Sequence, residues 1–217
     1  MGSELAEMRP YSETSDRYYT PKERLQPLQR VEAIGLTYTY PGSGRGIQGV
    51  DLCLERGSFT VVAGASGAGK TTLLRVLLGQ FPLEAGQIRW DGALIVDPGR
   101  FFAPSRATYI AQARIESPQV LYGGAARALT GGAELLVVDD LSAALDAQEE
   151  RMLWDALFVR RLFRRHGTCL AVSNRQPALS RADQTIVLAE GRVVGEGRLE
   201  ELLQTCVEMR RIWKQIR

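Results

Sequence analysis

The chain has 217 residues, of which 45% are hydrophobic and 24% charged, and its formal net charge is +2. This composition is typical of a soluble globular protein that has one domain and a sizeable hydrophobic core. The charge balance lacks the strong basic excess of nucleic-acid-binding proteins, so nucleic acid is not an expected partner.

Cysteine spacing and hydropathy bear on where the protein works. Cys53, Cys169 and Cys206 have no zinc or disulfide spacing, so a reducing cytosolic setting is expected. The first residues lack the apolar core of a signal peptide, and no stretch approaches the length needed to cross a bilayer. If the protein works at a membrane, we expect another segment or chain to supply the crossing.

The first part of the chain predicts an arm followed by an antiparallel unit. Residues 1–30 are polar and contain three prolines, which predicts a linker or disordered arm ahead of a domain at 31–217. VEAIGLTYTY at 31–40 alternates as a strand does, PGSGRG fits a turn, and GVDLCLERG at 49–57 fits a second strand. These early hairpins predict an antiparallel lobe beside the main sheet.

The middle of the chain predicts a parallel sheet. SFTVVAG at 58–64, ELLVVDD at 134–140 and TCLAVSN at 168–174 are apolar enough for strands that are buried on both faces. A glycine loop that opens the helix TTLLRVLLG follows the first of them, and GQIRWDG and ATYIAQ fit shorter strands. Strands that alternate with helices favour a mainly parallel sheet flanked by helices.

Three further elements are predicted toward the C terminus. TIVLAEGRVVGEG predicts a hairpin that turns at Glu190-Gly191. A helix from residue 147 has acids in its first turn and a glycine stop at Gly167; its predicted apolar face consists of Met152, Ala156, Val159 and Phe163. In the tail, Leu199, Leu202, Leu203 and Cys206 recur at helical spacing, which predicts a helix there.

The basic run RRLFRRH at 160–166 is interpreted as the exposed face and C-terminal end of the helix that starts at residue 147. The helix dipole favours cations at such an end. His166, the single histidine of the chain, belongs to this run. Its setting at a solvated helix end does not favour a catalytic role.

The stretch GASGAGKT at 64–71 fits the pattern G-x-x-x-x-G-K-[ST], which cradles phosphates. Its glycines allow the backbone to wrap closely and to aim its N–H groups inward. Lys70 adds a point charge, and the Thr71 hydroxyl can ligate Mg²⁺. A chance glycine-rich turn is the alternative, but the strand before the motif and the helix after it favour nucleotide binding. The predicted binding residues are Gly64, Ala65, Ser66, Gly67, Ala68, Gly69, Lys70 and Thr71.

Two aspartates, Asp139 and Asp140, end the apolar stretch ELLVVDD. A carboxylate at a strand end beside the cradle can hold the hydration shell of Mg²⁺, which is the role predicted for Asp139. Asp140 could orient or deprotonate an attacking water. Two such aspartates alone could simply cap the next turn, so it is the cradle that favours the functional interpretation.

The order of these motifs resembles the nucleotide-binding domain of ABC transporters, especially the exporter type, from about Val31 to Trp213. The matching segments are YTYPG with Tyr40, GASGAGKTT with Thr72, ATYIAQ ending in Gln112, ELLVVDDLSAALD at 134–146 and GRVVGEG at 191–197. The resemblance implies an α/β P-loop NTPase fold, with an ABC-ATPase core whose mainly parallel sheet is flanked by helices and accompanied by an antiparallel β lobe.

The resemblance also implies ATP and Mg²⁺ as cofactors and assigns roles to single residues. In this family an aromatic ring at the position of Tyr40 stacks on adenine, and the glutamine at the position of Gln112 senses Mg²⁺ and the attacking water. The implied metal site consists of Thr71, Gln112 and Asp139. The implied catalytic residues are Asp140, Gln112 and Asn174.

Partners and location are implied in the same way. The segment SAALD at 142–146 resembles the loop through which two such domains contact each other. The implied partners are therefore a transmembrane transporter subunit or domain and a second nucleotide-binding domain, in a homodimer or a heterodimer. The implied location is cytoplasmic and peripheral, at the inner face of the cell membrane.

The first departure from the family is the short bridge between Gln112 and Asp139. The family places a helical subdomain there, with an L-S-G-G-Q signature that reaches the partner's ATP. Counting back from Asp139 puts the signature at 115–119, which reads IESPQ and replaces two glycines by serine and proline. LYGG at 121–124 keeps two glycines but lies too near Asp139. Neither interpretation gives an intact signature, and the helical subdomain is predicted to be largely absent.

Two further departures concern single residues. Asp140 stands where most family members have glutamate, and Asn174 stands where the family has its switch histidine. Asparagine can hydrogen-bond a γ-phosphate oxygen but cannot carry a positive charge. Because one lost transition-state donor commonly costs about 10²–10³-fold in rate, weak or absent hydrolysis is predicted.

Two hypotheses about function remain open at this point. The first is an energy-coupling ATPase that powers or regulates transport across a membrane. The second is a degenerate nucleotide-binding module with little or no ATP hydrolysis. A third, a soluble ABC-type protein that acts on nucleic acid, is disfavoured by the near-neutral net charge.

Overall fold

The computed structural model describes residues 28–102, 106–110, 133–141, 145–155, 157 and 167–216. Several predicted features lie outside these residues. They are the arm up to residue 27, the bridge at 111–132 with Gln112 and both candidate signatures, residues 142–144 of the SAALD loop, and the basic run with His166. No helix in the described ranges is long and apolar enough to cross a bilayer.

The described residues form ten strands and six helices. The strands are β1 (Arg30–Thr39), β2 (Gly46–Glu55), β3 (Phe59–Gly64), β4 (Ala85–Trp90), β5 (Ala93–Leu94), β6 (Ala107–Ile110), β7 (Leu135–Val138), β8 (Thr168–Val172), β9 (Gln184–Ala189) and β10 (Arg192–Gly197). The helices are α1 (Lys70–Leu77), α2 (Pro98–Phe101), α3 (Ala147–Trp154), α4 (Gln176–Leu179), α5 (Leu199–Thr205) and α6 (Val207–Gln215).

The first sheet confirms the antiparallel lobe that the early hairpins predicted. Its strand order is β2-β1-β4-β5, and every neighbouring pair is antiparallel. The buried side chains of β1 change phase between Ala33 and Leu36, where the pairing with β2 is irregular. Such an irregularity re-aims the side chains that follow it, so Leu36 and Tyr38 still point into the core.

The second sheet has the order β10-β9-β3-β8-β7-β6, and it is parallel except for β10. All residues of β3, β7 and β8 are buried, as their uninterrupted apolar runs predicted. The α/β fold class with a mainly parallel sheet is therefore confirmed. The order places β8 between β3 and β7, so the loops that follow these three strands emerge side by side.

The core consists of two clusters that lie on opposite faces of β3. Val62 belongs to the cluster that also contains the antiparallel lobe and α1. Phe59, Val61 and Ala63 belong to the cluster that contains α3, α5 and α6. Because successive side chains of a strand point to opposite faces, this strand is fixed from both sides. The loop at its carboxyl end therefore starts from a rigid position.

The packed chain begins ahead of Val31, where the domain was predicted to start. Leu28 is buried, and its N–H donates to Glu134 Oε2 at 3.1 Å. The N–H groups of Gln29 and Arg30 both donate to Asp91 Oδ1, at 2.8 and 2.7 Å. The chain is thus held against both sheets from Leu28 onward.

Helix α3 buries a different face from the predicted one. Met152 is 60% exposed, whereas Glu150, Leu153, Trp154 and Leu157 are buried. These four residues have the i, i+3, i+4, i+7 spacing of one helix face, but the charge of Glu150 conceals that face from a search for apolar residues. The prediction for Met152 is therefore wrong, and the predicted residues 156, 159 and 163 have no described side chains.

Two predictions about the C-terminal elements can be compared with the structure. Glu190 and Gly191 both have positive φ, 49° and 75°, as a tight turn between β9 and β10 requires, so the hairpin is confirmed. The tail forms two helices instead of one continuous helix. Cys206 separates them with extended dihedrals, φ −102° and ψ 117°, and its Sγ accepts from the N–H of Met209 at 3.5 Å.

Replacing Leu153 by alanine should lower the free energy of unfolding by about 2–5 kcal/mol, because it leaves a cavity in the core. The matched change Met152→Ala, one position earlier on α3, should alter it by no more than about 0.5 kcal/mol, because the methionine side chain lies largely in solvent. Urea denaturation followed by circular dichroism measures both values. Equal losses in the two variants would contradict the assignment of the buried face.

Candidate functional site

The candidate site lies where β3, β8 and β7 reach their carboxyl ends. The loop that starts at Gly64 follows β3, Asn174 follows β8, and Asp139 follows β7. In open sheets of this kind, ligands bind outside the carboxyl ends of the strands. The strand order therefore brings together three segments that are far apart in the sequence.

The glycine loop between β3 and α1 is curled. Gly64, Gly67 and Gly69 have φ values of 154°, 79° and 102°, which favour glycine. A Cβ atom on Gly64 would lie 2.4 Å from the Leu188 carbonyl oxygen, so the close packing on β9 also requires glycine there. The loop returns directly into α1, with Gly69 as the cap, so the amino end of this helix opens onto the loop.

Lys70 reaches back across the curled loop. Its Nζ donates to the carbonyl oxygens of Gly64 and Ala65, at 2.6 and 2.9 Å. Burial lowers the pKa of Lys70, while the negative charges of Asp140 and Asp139 act in the opposite direction. A partly desolvated cation beside the amino end of a helix is an arrangement suited to an anion.

Thr71 and Asp139, predicted separately as metal ligands, are in contact. The Thr71 hydroxyl donates to Asp139 Oδ1 at 3.0 Å, and the Asp139 side chain is almost completely buried. Tyr109 on β6 donates its hydroxyl to the other carboxylate oxygen, Oδ2, at 3.1 Å. Burial and the negative charge of Asp139 raise the pKa of Tyr109 to about 12, so this hydroxyl keeps its proton.

Nothing in the sequence pattern marks Tyr109 as part of the site. The residue lies three positions before Gln112, on a strand whose pairing with β7 sets Tyr109 opposite Val137. The parallel register of β6 and β7 therefore decides that its hydroxyl reaches Asp139. Because Tyr109 and Asp139 are 30 positions apart, their contact can be predicted only when the register between β6 and β7 is known.

Asp140 has an unusual backbone conformation. Its φ is 30°, and of the described non-glycine residues only Asp91 and Glu190 also have positive φ. Those two precede Gly92 and Gly191 in tight turns, whereas Asp140 lies two positions after the end of β7. Positive φ in a non-glycine residue costs free energy and is frequent at functional sites. Asp140 is one of the residues that line the cleft.

Asn174 binds the main chain at the start of the glycine loop. Its side-chain Oδ1 accepts from the N–H of Gly64 at 3.0 Å, and its Nδ2 donates to the Gly64 carbonyl oxygen at 2.9 Å. Both ends of the amide thus bind the main chain where the glycine loop begins. The sequence predicted a contact with a γ-phosphate oxygen instead, and that role stays a prediction.

Tyr40 lines the same cleft. Its hydroxyl is 3.0 Å from Thr72 Oγ1, and its ring makes edge contacts with Tyr38 and Phe81. The cleft has a volume of about 700 Å³. It is lined by Tyr40, Pro41, Ser43, Arg45, Gly46, Ser66, Gly67, Gly69, Lys70, Thr71, Thr72, Asp140 and Val172. The structure therefore brings Tyr40, the phosphate loop and Asp140 to one cavity, while Gln112 lies outside the described residues.

Comparison with known proteins gives one family. A family model described as ABC transporter matches residues 47–153, which include the glycine loop and both aspartates. A solved structure, that of a bacterial Atm1-family ABC exporter with ATP bound, has a TM-score of 0.73 and 17% identity; the match covers 92% of this chain and 44% of that one. At this identity the structural likeness supports the fold.

Curated relatives extend the match. Mycobactin import ATP-binding/permease protein IrtB of Mycobacterium tuberculosis (strain ATCC 25618 / H37Rv) is 28% identical over 242 residues, covering 87% of this chain and 41% of that protein. The ATP-dependent lipid A-core flippase of Dechloromonas aromatica (strain RCB) is 30% identical over 238 residues, covering 84% and 40%. The chain thus spans about two fifths of the length of these relatives.

Both alignments are longer than the 217-residue chain, so each relative contains residues that have no counterpart here. The family match, the fold and the curled loop lead to one identification. The chain belongs to the ABC transporter family and carries its ATP-binding domain.

Proposed function

We propose that the domain binds Mg²⁺-ATP in the cleft between Tyr40 and the glycine loop and that ATP binding powers or regulates transport across a membrane. The observation that carries this proposal is the site itself. Lys70 lies across a curled loop, and Thr71, which lines the same cleft, contacts the buried carboxylate of Asp139.

The phosphate end of the cleft is suited to a triphosphate. The curled loop and the amino end of α1 supply N–H groups and a partial positive charge, and Lys70 supplies a full one. The residues that would contact the phosphates are Gly64, Ala65, Ser66, Gly67, Ala68, Gly69, Lys70, Thr71 and Thr72. Tyr40 lines the same cleft, where its ring would stack on adenine.

The residues beside the phosphate loop also fit a Mg²⁺ ion. Thr71 and Asp139 supply two oxygen ligands, and the described residues contain no cluster of three or more His, Cys, Asp or Glu side chains that could hold a metal. Mg²⁺ typically takes one or two protein ligands and completes its shell with phosphates and water. The bound ion would neutralise charge that develops on the phosphates. Gln112 as a further ligand stays a prediction.

The chain is less well equipped for hydrolysis. Asp140 is the candidate for orienting or deprotonating water, but its side chain is one methylene shorter than that of the glutamate usual in the family. Asn174 carries no positive charge and binds Gly64 with both ends of its amide. We therefore expect slow turnover in the isolated chain, and a module that binds ATP with almost no hydrolysis is the alternative.

Partners and location are part of the same proposal. The named relatives are an import ATP-binding/permease protein and a flippase, which supports a membrane-spanning subunit or domain as the partner of this chain. A second nucleotide-binding domain, identical or different, would contact the SAALD loop. The domain would then work at the cytoplasmic face of the cell membrane.

Lys70→Ala should abolish measurable ATP binding. Truncating one partner of a desolvated charge pair commonly costs about 2–5 kcal/mol, which corresponds to a loss of affinity between about 30-fold and several thousand-fold. Isothermal titration calorimetry measures the affinity, and Lys214→Ala, which removes an exposed lysine of α6, is the matched control. Unchanged affinity in Lys70→Ala would refute the proposed site.

ATP affinity should also depend on alkaline pH. Burial places the pKa of Lys70 below its ordinary value of 10.5, and a bound triphosphate should raise it again. ATP affinity should therefore fall as the pH rises through the lowered pKa toward 10.5, and binding in this window should take up a proton. Calorimetry in buffers of different ionisation enthalpy measures the uptake. Lys214→Ala should retain it, and its absence in the wild type would contradict the role of Lys70.

Steady-state phosphate release should be slow, below about 0.1 s⁻¹, compared with about 10 s⁻¹ for a typical enzyme, because stabilising groups are missing. Asp140→Asn should reduce it further while leaving ATP affinity nearly unchanged, because the carboxylate would act on water. Turnover and affinity are measured on the same preparations. Robust turnover by the wild type would favour the energy-coupling ATPase over the degenerate module, and unchanged turnover in Asp140→Asn would exclude this aspartate as the base.

A further inference from the structure

A fully buried carboxylate, Glu150 on α3, lies outside the nucleotide cleft and its lining residues. Its Oε1 accepts from Trp154 Nε1 at 3.0 Å and from Ser173 Oγ at 3.1 Å. Its Oε2 forms an ion pair with Arg175 Nη1 at 3.4 Å. A buried carboxylate is costly unless such partners satisfy it, and an apolar residue would fill the same space without that cost.

Two of the partners of Glu150 flank Asn174. Besides binding the carboxylate, the Ser173 hydroxyl accepts from the N–H of Arg175 at 3.1 Å. The guanidinium of Arg175 also donates to the Leu145 carbonyl oxygen at 2.6 Å. The segment 173–175 is therefore fixed on both sides of Asn174 by one buried charge and its hydrogen bonds.

Asn174 connects the fixed segment 173–175 to the phosphate loop through hydrogen bonds. Its amide makes two hydrogen bonds with the main chain of Gly64, and the Gly64 carbonyl oxygen also accepts from Lys70 Nζ at 2.6 Å. An unbroken series of contacts thus runs from Glu150 through residues 173–175 to Gly64 and Lys70. Its other branch ends at Leu145, in the segment proposed to contact a second nucleotide-binding domain.

We propose that Glu150 is a positioning residue for the nucleotide site. It holds residues 173–175 so that Asn174 fixes the start of the phosphate loop and, through Gly64, the position of the Lys70 ammonium. The inference rests on the proposed ATP site and adds Glu150, which none of the sequence motifs named above contains. A purely structural Glu150 would stabilise the domain without affecting the loop, and the experiments below separate the two roles.

The first experiment measures ATP affinity in a double-mutant cycle. Glu150→Gln keeps the shape of the side chain and removes the charge that binds Arg175. It should weaken ATP binding by about fivefold, a typical effect for a residue that acts through neighbours. Asn174→Ala should weaken binding as well, and the double variant should be no weaker than Asn174→Ala alone, because both changes interrupt one series of contacts. Unchanged affinity in Glu150→Gln, or full additivity, would overturn the proposal.

Asp155→Asn provides the matched control. Asp155 directly follows α3, and its carboxylate pairs with Arg181 at 2.6 Å. This ion pair connects the same region to the segment after α4, and within the described part of the chain neither residue hydrogen-bonds residues 173–175. ATP affinity should therefore stay at the wild-type value. If Asp155→Asn and Glu150→Gln lose the same amount of ATP affinity, the loss is due to general destabilisation of the domain, and the positioning role is refuted.

The second experiment needs no nucleotide and so separates this proposal from the proposed function. Hydrogen exchange followed by NMR compares the amides of Gly64 and Thr168, which donate to Asn174 Oδ1 and to the Glu134 carbonyl oxygen. Glu150→Gln should accelerate exchange at Gly64 and not at Thr168. Ser173→Ala, which retains the buried charge, carries the same test if Glu150→Gln does not fold. If the variant accelerates exchange equally at both amides, or at neither, the proposal is overturned even if ATP binds. Acceleration at Gly64 alone would support the proposal even if the protein does not bind ATP.

Discussion

The hydrogen bond from Thr71 to Asp139 joins the first turn of α1 to the end of β7, across 68 positions of the sequence. It forms only if β3 and β7 run parallel in one sheet with a single strand between them, because the two residues follow those strands. The same order places β8 in between and brings Asn174 to Gly64. One topological constraint therefore assembles the loop, the buried carboxylate and the asparagine.

Burial of β3 on both faces explains why the polar groups gather at one edge. A strand that is covered on each side offers no position for a charge along its length, so the charged and hydrogen-bonding residues occupy the loops beyond its carboxyl end. At this edge, burial shifts the pKa values of two side chains in opposite directions. It lowers the pKa of Lys70 and raises that of Tyr109, so the site holds a destabilised cation beside a hydroxyl that keeps its proton.

Much of the fold could be predicted from local sequence patterns. Unbroken apolar runs predicted β3, β7 and β8, and the Glu190-Gly191 pair predicted a turn, because each signal depends on neighbouring residues. The contact of Tyr109 with Asp139 could not be predicted, because it depends on the register between β6 and β7. The pairing of Asn174 with Gly64 depends in the same way on the order of strands.

The wrong prediction for α3 and the inference about Glu150 have one physical cause. Glu150, a charged residue at a core position, interrupts the apolar spacing of the buried helix face. The apolar pattern of the sequence therefore points to Met152, which is exposed. Such an interruption persists only if the buried charge is satisfied, and here its partners are the residues that flank Asn174. Residues that depart from local sequence preferences tend to lie at functional or strained sites. Asp140, with its positive φ, departs in the same way, and both residues lie within a few contacts of the phosphate loop.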